Sequence, residues 1–312
     1  MNVIASAWCS ISGWSEWGYP MSHATAASPV SLSLEAPAKL NLFLHVLGQR
    51  QDGYHELESV FQLIDLADSV RVTPIDGAQI LRPLGALGVP AEADLVVRAA
   101  LLLKKYAKAP NLGASIEVIK RIPQGAGLGG GSSDAASTLI LLNRLWGLGF
   151  STDTLAVLGS ELGADVAFFV RGQTAFVSGI GELTRPIETP KLLFLVLYPG
   201  VASSTREVFQ SPELTRNSRK LTIGGSLTWD PESGFIGRND LETAAITLKP
   251  AIGAALATLN RFAPARMTGS GSCVFAAFDD PKKAQAARQA VLRDAPLAWQ
   301  GWVVRSIDRI AR

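Results

Sequence analysis

Eleven residues near the middle of the chain constrain its fold more than any others: Pro123, Gln124, Gly125, Ala126, Gly127, Leu128, Gly129, Gly130, Gly131, Ser132 and Ser133. They separate an alternating, strand-like run over residues 114–120 from a segment in which Ala135, Leu139, Leu142 and Trp146 recur at helical spacing. A glycine-rich turn between strand and helix is a cradle for anions. The first amides of a helix have no intrahelical partner and lie at the positive end of its dipole. Glycines ahead of that helix allow positive φ and let backbone N–H groups approach a phosphate without an intervening side chain. Ser132 or Ser133 is the expected N-cap, and Gly147 and Gly149 the expected stop.

Gly125, Gly127 and Gly130 also satisfy the dinucleotide spacing G-x-G-x-x-G. The acidic residue that a Rossmann fold places about 20 positions on would be Asp153. It falls in Ser151-Thr152-Asp153-Thr154, which reads as a helix start rather than a strand end. The chain has no H-R-D or D-F-G element and no G-x-x-x-x-G-K-[ST], so neither a protein kinase nor a Walker-type loop is indicated.

Composition narrows the remaining classes. With 312 residues, 47% hydrophobic and 18% charged, the chain has the makeup of a folded protein large enough for two domains. A net charge of +2 gives no bulk electrostatic case for nucleic acid. Cys9 and Cys273 lack paired spacing, so neither a disulfide framework nor zinc is indicated and a cytoplasmic setting is expected. The longest apolar run, residues 192–198, is far short of the ~20 residues that cross a bilayer. Residues 1–30 hold three of the seven tryptophans, one charge and no Lys or Arg; an unstructured extension is expected, with Met21 a candidate translation start.

Along the chain, residues 40–46 and 54–61 read as a hairpin turning at Asp52-Gly53. Helices are expected over 94–105, from the glycine run to Trp146, and over 152–162 with Gly163 as the stop. Beyond them come a strand at 192–198, a short helix near 204–210, a polar stretch over 211–238 and a helical region from Asn239 that Pro250 interrupts. A strand-loop-strand centred on Gly269-Ser270-Gly271, a helix over 281–293 and a strand near 302–307 close the chain. The irregular alternation favours an α+β fold over a doubly wound sheet.

Three motifs carry a resemblance to a known family: Pro37-Ala38-Lys39-Leu40-Asn41-Leu42, the run from Pro123 to Ser133, and Met267-Thr268-Gly269-Ser270-Gly271-Ser272-Cys273. In this order they resemble the GHMP kinases, and the similarity extends from about residue 34 to the C-terminus. Arg50-Gln51-Asp52-Gly53-Tyr54-His55 and Gly163-Ala164-Asp165-Val166 narrow it to the branch acting on a cytidine-diphosphate-linked methylerythritol. The resemblance implies an α+β two-domain GHMP kinase fold: an ATP-binding N-terminal domain over 31–190, like ribosomal protein S5 domain 2, and a ferredoxin-like substrate domain over 191–312. It implies phosphorylation of the substrate's 2-hydroxyl in the non-mevalonate route to isoprenoids, with ATP and Mg²⁺, by a monomer or homodimer without nucleic-acid or membrane partners. The metal ligands stay unassigned.

The resemblance also assigns roles. Asp165 takes the proton of the attacking hydroxyl, Lys39 keeps that carboxylate ionised, and Asn41 faces the substrate beside Lys39. Tyr54 and Phe209 stack on the pyrimidine while His55 bonds to its edge. By residue type alone, Lys39 reads as a solvated charge at a strand start, Asp165 as a loop carboxylate in an Asx-turn, and Gly269-Ser270-Gly271 as a plain turn. Tyr54 likewise reads as a hairpin residue over the sheet, and Phe209 shares the apolar face of its helix with Val208. Asn239-Asp240 is expected to cap a helix. One departure stands out: where relatives place Asn before Leu against adenine, this chain has Asp94-Leu95, and an ionised Asp only accepts hydrogen bonds.

Overall fold

A computed structural model describes residues 30–312. The expected extension (save Val30), the candidate start at Met21, and Cys9 lie outside the described residues.

The architecture is built on one long hairpin, β1 (Leu32–Gln49) and β2 (His55–Ile75). Its turn is where the sequence places it: Gly53 has φ +86°, and Tyr54 N–H bonds the Asp52 carboxylate. The pairing register shifts after Pro37, Asn41 and Val46. Between the first two shifts, strand alternation sends Ala38 and Leu40 into a buried apolar cluster and leaves Lys39 and Asn41 on the other face.

β2 also pairs with β4 (Gly113–Ile119), β5 (Ala175–Gly179) and β12 (Gln300–Ile307). Outward from β4 lies the parallel edge strand β3 (Ile80–Leu84), and β6 (Leu183–Pro186) extends β5. On the other side β12 leads to β7 (Leu193–Tyr198), β11 (Val274–Phe278) and β10 (Ala265–Met267). The expected boundary at 190/191 falls between β6 and β7. Residues 300–305 of β12 pair with β7 while Ser306 and Ile307 pair with β2, so the last strand stitches the two halves into one sheet. Two-residue strands β8 (Trp229–Asp230) and β9 (Gly234–Phe235) pair within the polar stretch.

Helices cover the sheet. In the first half α1 (Leu95–Ala107), α2 (Gly130–Leu145), α3 (Thr152–Ser160) and α4 (Ala164–Arg171) bury Leu103, Leu139, Leu155 and Phe168 against Val70, Val72 and Ile116. In the second, α6 (Glu242–Leu248), α7 (Pro250–Leu259) and α8 (Pro281–Arg293) pack Ala244, Ile252 and Ala287 against Leu195 and Ala276. The short α5 (Thr205–Gln210) buries Val208 fully in that same cluster. Pro250 occupies the first turn of α7, where its missing N–H costs nothing.

Three local expectations are corrected. α2 starts at Gly130 with Gly129 at its N-cap, so Ser132 and Ser133 lie inside the first turn and neither caps it. α3 ends at Ser160, and Gly163 instead precedes a helix absent from the sequence reading, α4, which carries Asp165 in its first turn rather than in a loop. The N-cap position of α6 is Leu241 rather than Asn239, although Asn239 Oδ1 accepts from Leu241 N–H at 3.0 Å just ahead of the helix. The Asn239 amide donates to Met267 O and Gly269 O at 2.8 Å each, holding the second glycine loop, while Asp240 accepts from Val46 N–H at 2.7 Å.

Candidate active site

The glycine run is shaped by alternating roles. Ala126 and Leu128 are buried in an apolar cluster, whereas Gly125, Gly127 and Gly129 have φ of +62°, +76° and +73°. Anchored side chains thus hold a loop whose intervening backbone faces a cavity. At Gly127 a Cβ would stand 2.2 Å from Thr268 O, so only glycine lets this loop meet the one at 268–271 backbone to backbone. Thr268 also donates its hydroxyl toward Gly127 O at 3.4 Å and accepts from Asn41 N–H at 2.9 Å.

The cavity has a volume of about 630 Å³. All the residues of the expected cradle line it except Ser133, which is buried with an unpartnered hydroxyl. The first-turn amides of α2 at Gly130, Gly131 and Ser132 have no carbonyl behind them in the helix and are free for an anion.

Lys39, Asn41 and Asp165 line the same cavity. The Lys39 ammonium donates to Asn41 Oδ1 at 2.6 Å and to Gly127 O at 3.1 Å, and stands 3.7 Å from Asp165 Oδ2. It also lies 4.7 Å from the centre of the Phe61 ring, a cation–π contact. Only 4% of Lys39 is exposed; burial pushes its pKa down and the Asp165 carboxylate pulls it back up. Asn41 Nδ2 donates to Ser59, which fixes the amide with its oxygen toward Lys39. A cation bonded to the phosphate loop and paired with a partly exposed carboxylate is an arrangement suited to phosphoryl transfer, which requires an oriented nucleophile beside neutralised charge.

At Asp94 the departure from the family pattern is accompanied by a partner. Arg82, on edge strand β3, donates to Asp94 Oδ2 at 2.6 Å, to Val89 O at 2.7 Å and to Ala86 O at 3.3 Å. Asp94 Oδ1 accepts from Val96 N–H, so Asp94 is also the N-cap of α1. The pair is almost buried, and Ala86, Val89, Ala93 and Leu95 beside it line the cavity.

His55 and Phe209 come together with ring centroids 5.1 Å apart and planes inclined by 31°. Phe209 lines the cavity with Leu44 and Leu57. Tyr54 is 60% exposed at the hairpin turn and is not part of the cavity wall.

Several residues escaped the sequence reading. Lys120 donates to Asp68 Oδ2 at 2.5 Å and to Asp134 Oδ2 at 2.7 Å, and Asp68 Oδ1 accepts from the backbone N–H groups of Arg121 and Ile122. This group ties both flanks of the phosphate loop to β2. Burial, offset by Lys120 and reinforced by Asp68, pushes Asp134 up to about 7. Arg216 reaches His55 from the polar stretch. The one available signal for such residues is a charge inside an otherwise apolar strand or helix, as at Asp68 and Asp134. Among the described residues no group of three His, Cys, Asp or Glu forms a metal site, and no helix is long and apolar enough to cross a membrane.

Comparison with known proteins agrees with this geometry. The family model described as "GHMP kinases N terminal domain" matches residues 94–173 and "GHMP kinases C terminal" matches residues 228–296. The 4-diphosphocytidyl-2-C-methyl-D-erythritol kinase of Hahella chejuensis is 45% identical over 285 residues, covering 89% of this chain and 94% of its own. The enzyme of the same name from Janthinobacterium sp. strain Marseille is 49% identical over 276 residues, covering 87% and 93%. Among solved structures, a crystal structure of 4-(cytidine 5'-diphospho)-2C-methyl-D-erythritol kinase superposes with a TM-score of 0.72 at 33% identity, covering 88% of this chain and 99% of its own.

Proposed function

The chain belongs to the GHMP kinase family, and from that premise we propose that it transfers the terminal phosphoryl group of ATP to the 2-hydroxyl of 4-(cytidine 5'-diphospho)-2-C-methyl-D-erythritol, a step of non-mevalonate isoprenoid biosynthesis. One observation supports this most directly: Lys39 is bonded to the phosphate loop at Gly127 O and paired with Asp165 inside a single cavity.

The chain's own groups account for the chemistry. The α2 amides and positive-φ glycines bind the triphosphate, with the helix dipole favouring its charge. Lys39, 3.7 Å from Asp165 Oδ2, holds a positive charge beside that carboxylate and neutralises charge on the migrating group. Asp165 accepts the hydroxyl proton as general base. The buried, unpartnered Ser133 Oγ and Asp134 Oδ1 are the hard oxygens that would hold Mg²⁺, and the ion would supply charge neutralisation at the phosphate oxygens. Asn41 orients Lys39 through the 2.6 Å bond. Phe209 supplies a stacking face for the cytosine, with Tyr54 as the second face from the hairpin turn and His55 bonding the edge. The low cysteine count fits a cytoplasmic enzyme.

ADP release measured against four acceptors tests the reading: the cytidine-diphosphate methylerythritol, mevalonate, homoserine and galactose. Turnover should be confined to the first; preference for any other sinks the assignment. A second prediction concerns the donor. Arg82→Met leaves Asp94 buried without its partner and frees Ala86 O and Val89 O, so the KM for ATP should rise about tenfold, the equivalent of one lost charge-assisted hydrogen bond, with the acceptor KM unchanged. Initial rates with each substrate varied separately would check it, and equal rises in both KM values would show only general damage.

A further inference from the structure

An imidazole nitrogen donates or accepts according to the tautomer, so His55 by itself does not say which pyrimidine it prefers. Arg216 removes that freedom. Its Nε–H donates to His55 Nε2 at 3.3 Å, and a guanidinium has no lone pair to accept with, so Nε2 must be the unprotonated nitrogen. The hydrogen of the neutral ring is then on Nδ1.

Arg216 is itself held firmly. Its Nη2 donates to Phe209 O at 3.1 Å and to Ser211 O at 3.4 Å, and its Nη1 to Leu214 O at 3.4 Å. These carbonyls lie at and just beyond the C-terminal end of α5, where cationic groups are favoured. One guanidinium therefore closes the end of the helix bearing Phe209 and fixes the ring packed 5.1 Å from it. Burial and the Arg216 charge both lower the pKa of His55, which keeps the ring neutral.

We propose that Arg216 is a specificity-determining positioning residue: by holding His55 as its Nδ1–H tautomer beside Phe209, it presets the site for a pyrimidine whose ring position 3 accepts a hydrogen bond, cytosine, and against uracil, whose N3 carries a hydrogen. The opposite tautomer would present a lone pair at Nδ1 and reverse that preference. This inference rests on the cytidine-linked acceptor proposed above and deepens it, since it gives the base selectivity a physical origin in a residue outside the cavity wall.

Two measurements test it. Long-range proton–nitrogen correlation spectra of the free enzyme, labelled with nitrogen-15, should show His55 Nδ1 protonated and Nε2 bare; Arg216→Met should lose that bias. The kcat/KM ratio for the cytidine acceptor over its uridine counterpart should favour cytidine in the wild type and narrow at least about tenfold in Arg216→Met, the scale of one base-edge hydrogen bond. A ratio of two substrates on one preparation is unaffected by a loss of folded protein. A protonated Nε2 in the wild type, or an unchanged ratio in the variant, overturns the inference. Equal use of both acceptors by the wild type, or use of neither, counts against the cytidine reading and takes the specificity claim with it. That failure is distinguishable because the tautomer is read without substrate.

Discussion

Asp165→Asn is expected to lower kcat by about 10²–10⁴-fold, the range supplied by a positioned general base, while leaving the dissociation constant for ATP within about twofold. The substitution preserves the shape of the side chain and removes only its charge and basicity. Asp165 lies in the first turn of α4 with 30% of its side chain exposed, and its contact with Lys39 is 3.7 Å long, so the fold depends little on it. Lys39→Met should cost similar turnover for a different reason. The ammonium adds a side-chain bond to Gly127 O beside the backbone bond from Lys39 N–H to Leu128 O, so its loss should loosen the phosphate loop on β1 and weaken ATP binding as well as chemistry. The pH profile separates the two effects further. Burial pushes the Lys39 pKa down and Asp165 opposes it; with asparagine at 165 the opposing charge is gone, so the residual activity should fall off at lower pH on the alkaline side than in the wild type. Steady-state rates over pH, with nucleotide affinity measured by calorimetry, would check these expectations. Wild-type turnover in Asp165→Asn removes that residue from the mechanism.

How much of this was legible in the sequence depended on whether a residue's role is local. The glycine run, the Asp52-Gly53 turn, the strand at β7 and helices α1 and α8 follow from spacing and turn chemistry within a few residues, and all are present where expected. α4 was missed because its eight residues, Ala164–Arg171, are apolar almost all round and follow a glycine that reads as a stop. β2 runs to Ile75, well past the expected end at 61, because Asp65 and Asp68 resemble strand breakers. Asp68 tolerates complete burial only through Lys120 and two backbone amides more than fifty residues away, which no local pattern announces. Arg82, in an apolar edge strand, and Arg216, in a polar stretch, are the same case: isolated charges by sequence, structural ties between segments in the fold. The Asp94 departure was legible and its consequence was not, since the compensating arginine lies twelve positions upstream on edge strand β3.

Lys120→Met should give the largest loss of stability, about 3–5 kcal/mol, as expected when one partner is removed from a buried charge group. In the wild type one ammonium serves two carboxylates, at 2.5 Å from Asp68 and 2.7 Å from Asp134. Without it the two would share a dry site with no cation, beside an Asp134 Oδ1 that already lacks a partner. The melting temperature should fall by on the order of 10 °C. The sign of the pH dependence identifies the cause. Asp134, pushed up to about 7 in the fold from the ordinary carboxylate range, binds more protons folded than unfolded between the two, so its contribution to stability declines as pH rises through that window. Removing Lys120 raises the folded value further and stretches the window upward. The deficit of Lys120→Met relative to wild type should therefore shrink on acidification from pH 8 to pH 5. Lys120→Met/Asp134→Asn should recover most of the loss, because Asp68 then keeps its two backbone donors and faces no second charge. Thermal melts of the three proteins at several pH values would decide it. A single variant as stable as wild type, or a deficit that grows toward acid, would mean that the flanks of the phosphate loop are held by packing alone. The outcome also bears on catalysis: if the clasp fixes the loop, Lys120→Met should bind ATP more weakly even at temperatures where it is fully folded, since the α2 amides would no longer be preset for the triphosphate.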